Sequence, residues 1–274
     1  MARSLPDFED PPVVETALGV EFAPLEKWSI PCFGLFWQDI RNEYPRCQAH
    51  GPLGSQIEQF DAEGSSFAVP KLMLTAQQVP DIRCWFLETS GSRLLQIQRD
   101  RFVHNWRKPG STSNYPHYET IRPTFEREWG RFCDFLRRES LGEPDVVQCE
   151  VTYVNHLERG KGWDSFGDVA KVLRCWSGSC GEFLPSPEGM LLSVRYVMPD
   201  NRGRLHVNLH PALRKEDAKA ILQLSLTARG RPDSSSTDDI MKWLDLGREW
   251  VVCGFTDFTS VNMHELWHRK EDRR

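Results

Sequence analysis

Apolar and polar residues alternate along several runs of this chain, and that two-residue period constrains its fold more than any other feature. Residues 146–157 (VVQCEVTYVNHL) alternate clearly, as do 204–210 and 220–227. Successive strand side chains point to opposite faces, so such runs build a sheet with one apolar and one polar side. A different period marks residues 115–139. There Phe125, Trp129, Phe132 and Leu136 form an apolar stripe at helical spacing, with Arg and Glu opposite.

The remaining elements follow from breakers and turns. Val13–Phe22 reads as a strand bracketed by Pro11-Pro12 and Pro24. Residues 33–44 form a short amphipathic helix stopped by Pro45. Residues 51–80, rich in Gly, Ser, Gln and Pro, read as a long surface connection. Residues 82–88 and 93–101 are strand-like and flank Thr89-Ser90-Gly91-Ser92, a hairpin signal. The order through residue 160 is strand, helix, strand, strand, helix, strand, which predicts a ferredoxin-like βαββαβ unit over 1–160. Residues 161–274 predict a second α+β unit. It holds a short helix at 165–176 and strands at 190–198, 204–210 and 220–229. A helix capped by Ser236 runs to about residue 252, and a last helix is capped by Thr259 or Ser260. The expected class is α+β, with antiparallel sheets carrying helices on one face.

Composition narrows the function classes. With 39% hydrophobic and 27% charged residues in 274, the chain is expected to fold rather than stay disordered. A net charge of −5 disfavours a generic nucleic-acid coat. The start MARSLPDFEDPPVV has no apolar core of a secretory signal, and no run approaches the ~20 apolar residues of a membrane span. A cytoplasmic protein without membrane association is expected. The eight cysteines are scattered, which suits buried thiols, and Cys175 and Cys180 are the only close pair. No Gly-rich phosphate loop, G-x-S-x-G or C-x-x-C set is present, so no cofactor is expected.

Three stretches could carry chemistry. In residues 96–108 (QIQRDRFVHNWRK), a strand pattern runs into Arg99, Arg101, Asn105, Trp106, Arg107 and Lys108. Arginine grips phosphate or carboxylate while tryptophan stacks on a base or apolar group. Such a charge run equally suits a solvated strand edge with Trp106 covering the core. The second is the polar side of the C-terminal strands: Arg195, His206, Asn208, His210 and Gln223. It reads as a wet sheet face or a binding surface, with His206 and His210 roughly 13 Å apart, too far to share a metal. The third, His264-Glu265-Leu266-Trp267-His268, fits H-E-x-x-H, a zinc-binding spacing on a helix. Only RKEDRR follows, without a typical third ligand, so a terminal helix docked through Leu266 and Trp267 is the better reading.

Three quoted segments together resemble a known family: PPVVETALGVEF with FGLFWQDIRNEYP, WFLETSGSRLLQIQRDRFVHNWRK, and VTYVNHL with FTDFTSVNMHELW. They are similar to an uncharacterised, sporadically distributed bacterial protein family with a PVVE-type start. Its pattern also includes a QxDRFxxNWRK-like motif and an MHExW ending. The resemblance covers nearly the whole chain and implies no activity. The family pattern lacks a second histidine, so His268 departs from it, which weighs against zinc. Sporadic distribution implies an accessory component of a multi-gene system, in defence or local regulation, whose partner is another protein of that system. The leading expectation is therefore a non-enzymatic binding or interaction protein. The alternatives are a metal-dependent hydrolase using His264 and His268, or single-stranded nucleic-acid binding through the 99–108 cluster, which the net charge disfavours.

Overall fold

The computed structural model describes residues 5–60, 81–110, 115–178 and 182–270. Cys180 and most of the 51–80 connection lie outside the described residues. The chain runs β1 (Val13–Phe22), α1 (Ile30–Ile40), β2 (Arg46–His50), β3 (Arg83–Leu87), β4 (Arg93–Gln98), β5 (Arg101–Arg107), α2 (Tyr118–Arg138) and β6 (Val146–Glu158). It continues through α3 (Val169–Val172), β7 (Leu192–Val197), β8 (Arg204–Leu213), β9 (Ala220–Gly230), α4 (Thr237–Phe258) and α5 (Val261–Leu266).

The fold is α+β, and among the described residues the strands form one nine-stranded sheet in the order β2-β3-β4-β5-β1-β6-β9-β8-β7. Every neighbouring pair is antiparallel. The expected separate sheets are therefore one. β6 pairs with β9 from Cys149↔Gly230 to Glu158↔Ile221, so the boundary placed near residue 160 adjoins a continuous ladder. Alternation reveals strands but not their partners, which is why this join was invisible in the sequence.

Residues 96–108 are the clearest local correction. They do not form one strand with an exit. Arg99 and Asp100 turn the chain, and β4 and β5 pair from Gln98↔Arg101 to Arg93↔Trp106. The short polar turn carries neither glycine nor proline, so it left no mark on the strand pattern. β2 was also missed, because its residues RCQAH are exposed or half-exposed and carry no apolar alternation. The helix expected at 165–176 shortens to a 3-10 turn at Phe166–Asp168 running into α3, and α4 extends to Phe258.

One face of the sheet is the core. Leu18, Val20 and Phe22 of β1, Phe102 of β5, Val151 of β6 and Leu224 of β9 are buried there. The α2 stripe packs on it: Phe102 meets Phe125 at 5.9 Å, Trp129 at 5.6 Å and Phe132 at 5.2 Å between ring centroids. Helix α1 closes the far side through Phe36, whose ring lies 6.0 Å from Phe86 and 5.7 Å from Phe132. Helix α4 comes close to the sheet at Gly247, where a Cβ would sit 2.9 Å from Val151 Cγ2. Cys32, Cys84 and Cys149 are buried thiols in this core. No helix among the described residues is long and apolar enough to cross a membrane.

Candidate interaction site on the open face of the sheet

Among the described residues the helices lie on one side of the sheet, and the alternate residues of its strands share the other. The register brings the two sequence candidates onto that one face. Asn105 of β5 pairs with Ala17, Ala17 with Thr152, Thr152 with Thr227, Thr227 with His206 and His206 with Arg195. Asn208 lies opposite both Ser225 and Ser193, and His210 opposite Gln223. His156 lies on the other side of Gln223, so two histidines flank one glutamine across three strands. His156 occupies a polar position of the same alternation but belongs to no motif in the sequence. Ser193, Asn208, His210 and Ser225 line an open concavity of about 520 Å³.

At the β2–β5 end, Arg83, Gln96, Asn105, Glu15 and Arg107 form a hydrogen-bonded chain. Arg83 Nη1 donates to Gln96 Oε1 at 2.9 Å, Gln96 Nε2 to Asn105 Oδ1 at 2.7 Å, and Asn105 Nδ2 to Glu15 Oε1 at 2.6 Å. Arg107 Nε donates to the same Glu15 oxygen at 3.1 Å. The aromatic group here is Trp85, not Trp106. The Arg107 guanidinium lies 4.6 Å from the Trp85 ring centroid, and the His50 ring stacks on Trp85 at 3.9 Å. Burial, then the charges of Arg101 and Arg107, hold the Arg83 guanidinium below its usual range.

Trp106 points the other way. It is 6% exposed, packs edge-on to Tyr115 at 5.5 Å, and so offers no surface for a base. This follows from parity: Trp106 sits one residue from Asn105 and Arg107, so it must face the helices. Arg99 occupies the β4–β5 turn and pairs with Asp81 at 3.2 Å, and Arg101 pairs with Glu21 at 2.7 Å. Lys108 follows β5, its backbone N–H donating to the Val14 carbonyl at 2.8 Å.

The segment 51–60, the described part of the expected surface connection, is largely exposed but is tied to the sheet as a strap. Gln98 Oε1 accepts from Leu53 N–H at 2.9 Å while Gln98 Nε2 donates to Leu53 C=O at 3.1 Å. Gln148 repeats the arrangement, accepting from Glu58 N–H at 2.9 Å and donating to Gln56 C=O at 3.1 Å. Ser55 donates to Glu21, and Arg229 Nη1 donates to Gln56 Oε1 at 2.8 Å. Glu58 then takes Arg204 and, at 2.5 Å, His206 Nε2. Burial alone would raise the Glu58 carboxyl, but the hydrogen bonds and charges of His206 and Arg204 outweigh it and hold the group below its ordinary value.

The H-E-x-x-H segment does not form a paired-histidine site. Helix α5 ends at Leu266, and His268 lies beyond it with a left-handed φ of 51° and a 63% exposed side chain. His264 is 4% exposed, and its Nε2 donates to Thr259 Oγ1 at 2.9 Å, because the Thr259 hydroxyl is itself spent on the Phe255 carbonyl. Trp267 docks the segment as expected, its ring 5.1 Å from Phe255, whereas Leu266, expected to dock with it, is 42% exposed. No cluster of three or more His, Cys, Asp or Glu among the described residues could hold a metal ion.

Comparison of the chain with family models, with curated proteins and with solved structures finds no match.

Proposed function

We propose that this is a non-enzymatic binding protein whose open sheet face receives an extended polypeptide of a partner. The observation that carries this reading is the pair of glutamine clamps. Gln98 and Gln148 each grip main-chain N–H and C=O groups of the strap. Amide side chains that satisfy both a backbone donor and a backbone acceptor recognise extended chain whatever its side chains are. Beyond the strap, Thr152, Ser225, Asn208, His210 and Gln223 offer the same donor and acceptor chemistry with half-buried side chains.

The buried free thiols support placing the protein in the cytoplasm, and the resemblance noted in the sequence supports reading it as one component of a bacterial multi-gene system in defence or regulation. Its partner is then another protein of that system. The strand order β6-β1-β5-β4, with α1 and α2 in the connections, supports treating the N-terminal half as a ferredoxin-like unit extended by β2 and β3. On that reading the C-terminal α+β unit is added to the β6 edge.

The test places a photo-crosslinking amino acid at Asn208 in the native host. A stoichiometric protein partner should crosslink, be lost in Ser225→Arg, and be retained in the helix-side variant Arg137→Ala. Recovery of a lone monomer, or a crosslink indifferent to Ser225→Arg, would overturn the proposal.

A further inference from the structure

On the helix side of the sheet, away from the open face, a cavity of about 60 Å³ lies between the N-terminal segment, β6 and α4. One water needs roughly 10–15 Å³ in this measure, so the space holds a small organic molecule or a few waters. Phe8, Val13 and Phe255 supply apolar wall, and Trp106 backs Tyr115 from behind.

The polar wall has unspent bonding capacity. Tyr115 and Tyr153 are joined hydroxyl to hydroxyl at 2.8 Å. Asn155 is 1% exposed, and its Nδ2 donates to the Leu224 carbonyl at 3.1 Å. Only the amino end of the amide can make that bond, so the orientation is fixed. Asn155 Oδ1 is then buried without a partner among the described residues. Arg248 donates through Nη2 to Glu119 at 2.9 Å and lies 4.8 Å from the Tyr118 ring, yet its Nε is buried and unpaired as well. An unmade bond at a buried polar atom costs on the order of 1–3 kcal/mol, so such atoms call for an occupant.

Two backbone irregularities converge on the same place. The β1–β6 register slips between Val13 and Glu15, setting Val13 opposite Asn155. His117, at the mouth, holds φ 59° and ψ 157°, a region that glycine ordinarily occupies. Bulges and strained residues gather where a fold must re-aim side chains at a ligand. Among the lining residues described, Asp7 is the one carboxylate, and Lys270 engages it at 2.6 Å. The wall therefore offers the free Nε–H of an Arg248 whose charge Glu119 already faces, one phenolic O–H and one unpaired acceptor.

We propose that this cavity binds a small hydroxycarboxylic acid. The carboxylate takes Arg248 Nε–H and the one O–H that the Tyr115–Tyr153 pair leaves free, the ligand hydroxyl donates to Asn155 Oδ1, and the short carbon chain lies against Val13 and Phe8.

Calorimetric titration of the full chain with lactate, and with propionate as the analogue lacking the hydroxyl, tests this. Lactate should bind, and propionate should bind roughly tenfold more weakly because Asn155 Oδ1 stays unpaired. Tyr153→Phe should weaken lactate about tenfold while unfolding stays cooperative. Val252→Phe, which fills the cavity from α4, should abolish binding, and Ser225→Arg on the open face should leave it intact. Silence of both acids at about 10 mM, meaning a cavity that holds water only, would overturn the proposal. So would lactate binding that persists unchanged in Val252→Phe.

Discussion

Glu128 and His104 meet in the core, with His104 Nδ1 donating to Glu128 Oε2 at 2.6 Å and both side chains 1% exposed. The other carboxylate oxygen accepts from the hydroxyl of Tyr44, which is fully buried. Burial, and then the adjacent Glu128, push the Tyr44 phenol well above its usual range, so it stays a neutral donor. Three elements are thereby tied together: the turn after α1, the middle of α2 and the centre of β5.

Breaking this triad should be costly, because a buried polar group deprived of its partner keeps its desolvation penalty. Glu128→Ala is expected to destabilise the protein by about 3 kcal/mol in urea unfolding. Glu128→Gln should cost less, since one amide oxygen still accepts. A loss below about 1 kcal/mol for Glu128→Ala would show that the core repacks without the carboxylate.

The strap should open without the rest of the fold. Its anchors are hydrogen bonds and ion pairs made by side chains, and its described residues share no ladder with the sheet. Gln148→Ala is expected to speed amide exchange at Glu58 markedly while lowering global stability by about 1 kcal/mol or less. Hydrogen exchange resolved by residue reads both. Unchanged protection at Glu58 would mean that the clamp does not hold the strap.

The contrast between what the sequence showed and what it hid is physical. Alternation located β6, β8 and β9, and the Phe125–Trp129–Phe132–Leu136 stripe located α2, because burial on one side leaves a period in the chain. Trp106 and Asn105 were read together as one cluster, yet adjacent strand residues face opposite sides. Resolving them required knowing that β5 is a strand at all. His104, Glu128 and Tyr44 come from distant segments, as do Tyr115, Tyr153 and Arg248, and no spacing rule joins them. The glutamine clamps were hidden because Gln98 and Gln148 look like ordinary solvated positions until a second segment lies across them.

Acid should release the strap from the Glu58 end. Glu58 has a carboxyl held below its ordinary value in the folded protein. Its stabilising contribution is therefore full above the unfolded carboxylate value of about 4.3 and is lost as pH falls through the lower folded value. Amide exchange at Glu58, corrected for its intrinsic pH dependence, should show protection constant from neutral pH to about 5 and falling below about 4. Glu58→Gln should remove that dependence. Protection that declines identically in the variant would assign the acid step to another group.

His264 should behave as a structural histidine rather than a metal ligand. Burial first, then the charges of Arg269 and Arg174, lower its pKa, and its ring sits 5.6 Å from Phe8 while Nε2 donates to Thr259. A histidine whose folded pKa is depressed is kept neutral by the fold, so the unfolded chain takes up its proton first as pH falls. The contribution to stability is full above the unfolded value of about 6.5 and diminishes below it, towards the folded value. Urea unfolding across this range should therefore show stability falling below about pH 6.5, with a smaller slope in His264→Gln. His264→Ala should cost about 2 kcal/mol, while the exposed His268→Ala should change stability by less than about 0.5 kcal/mol. Zinc added to the wild-type chain should leave the midpoint unmoved. A zinc-dependent rise that disappears equally in His264→Ala and His268→Ala would require these two histidines to come together, and would displace this assignment.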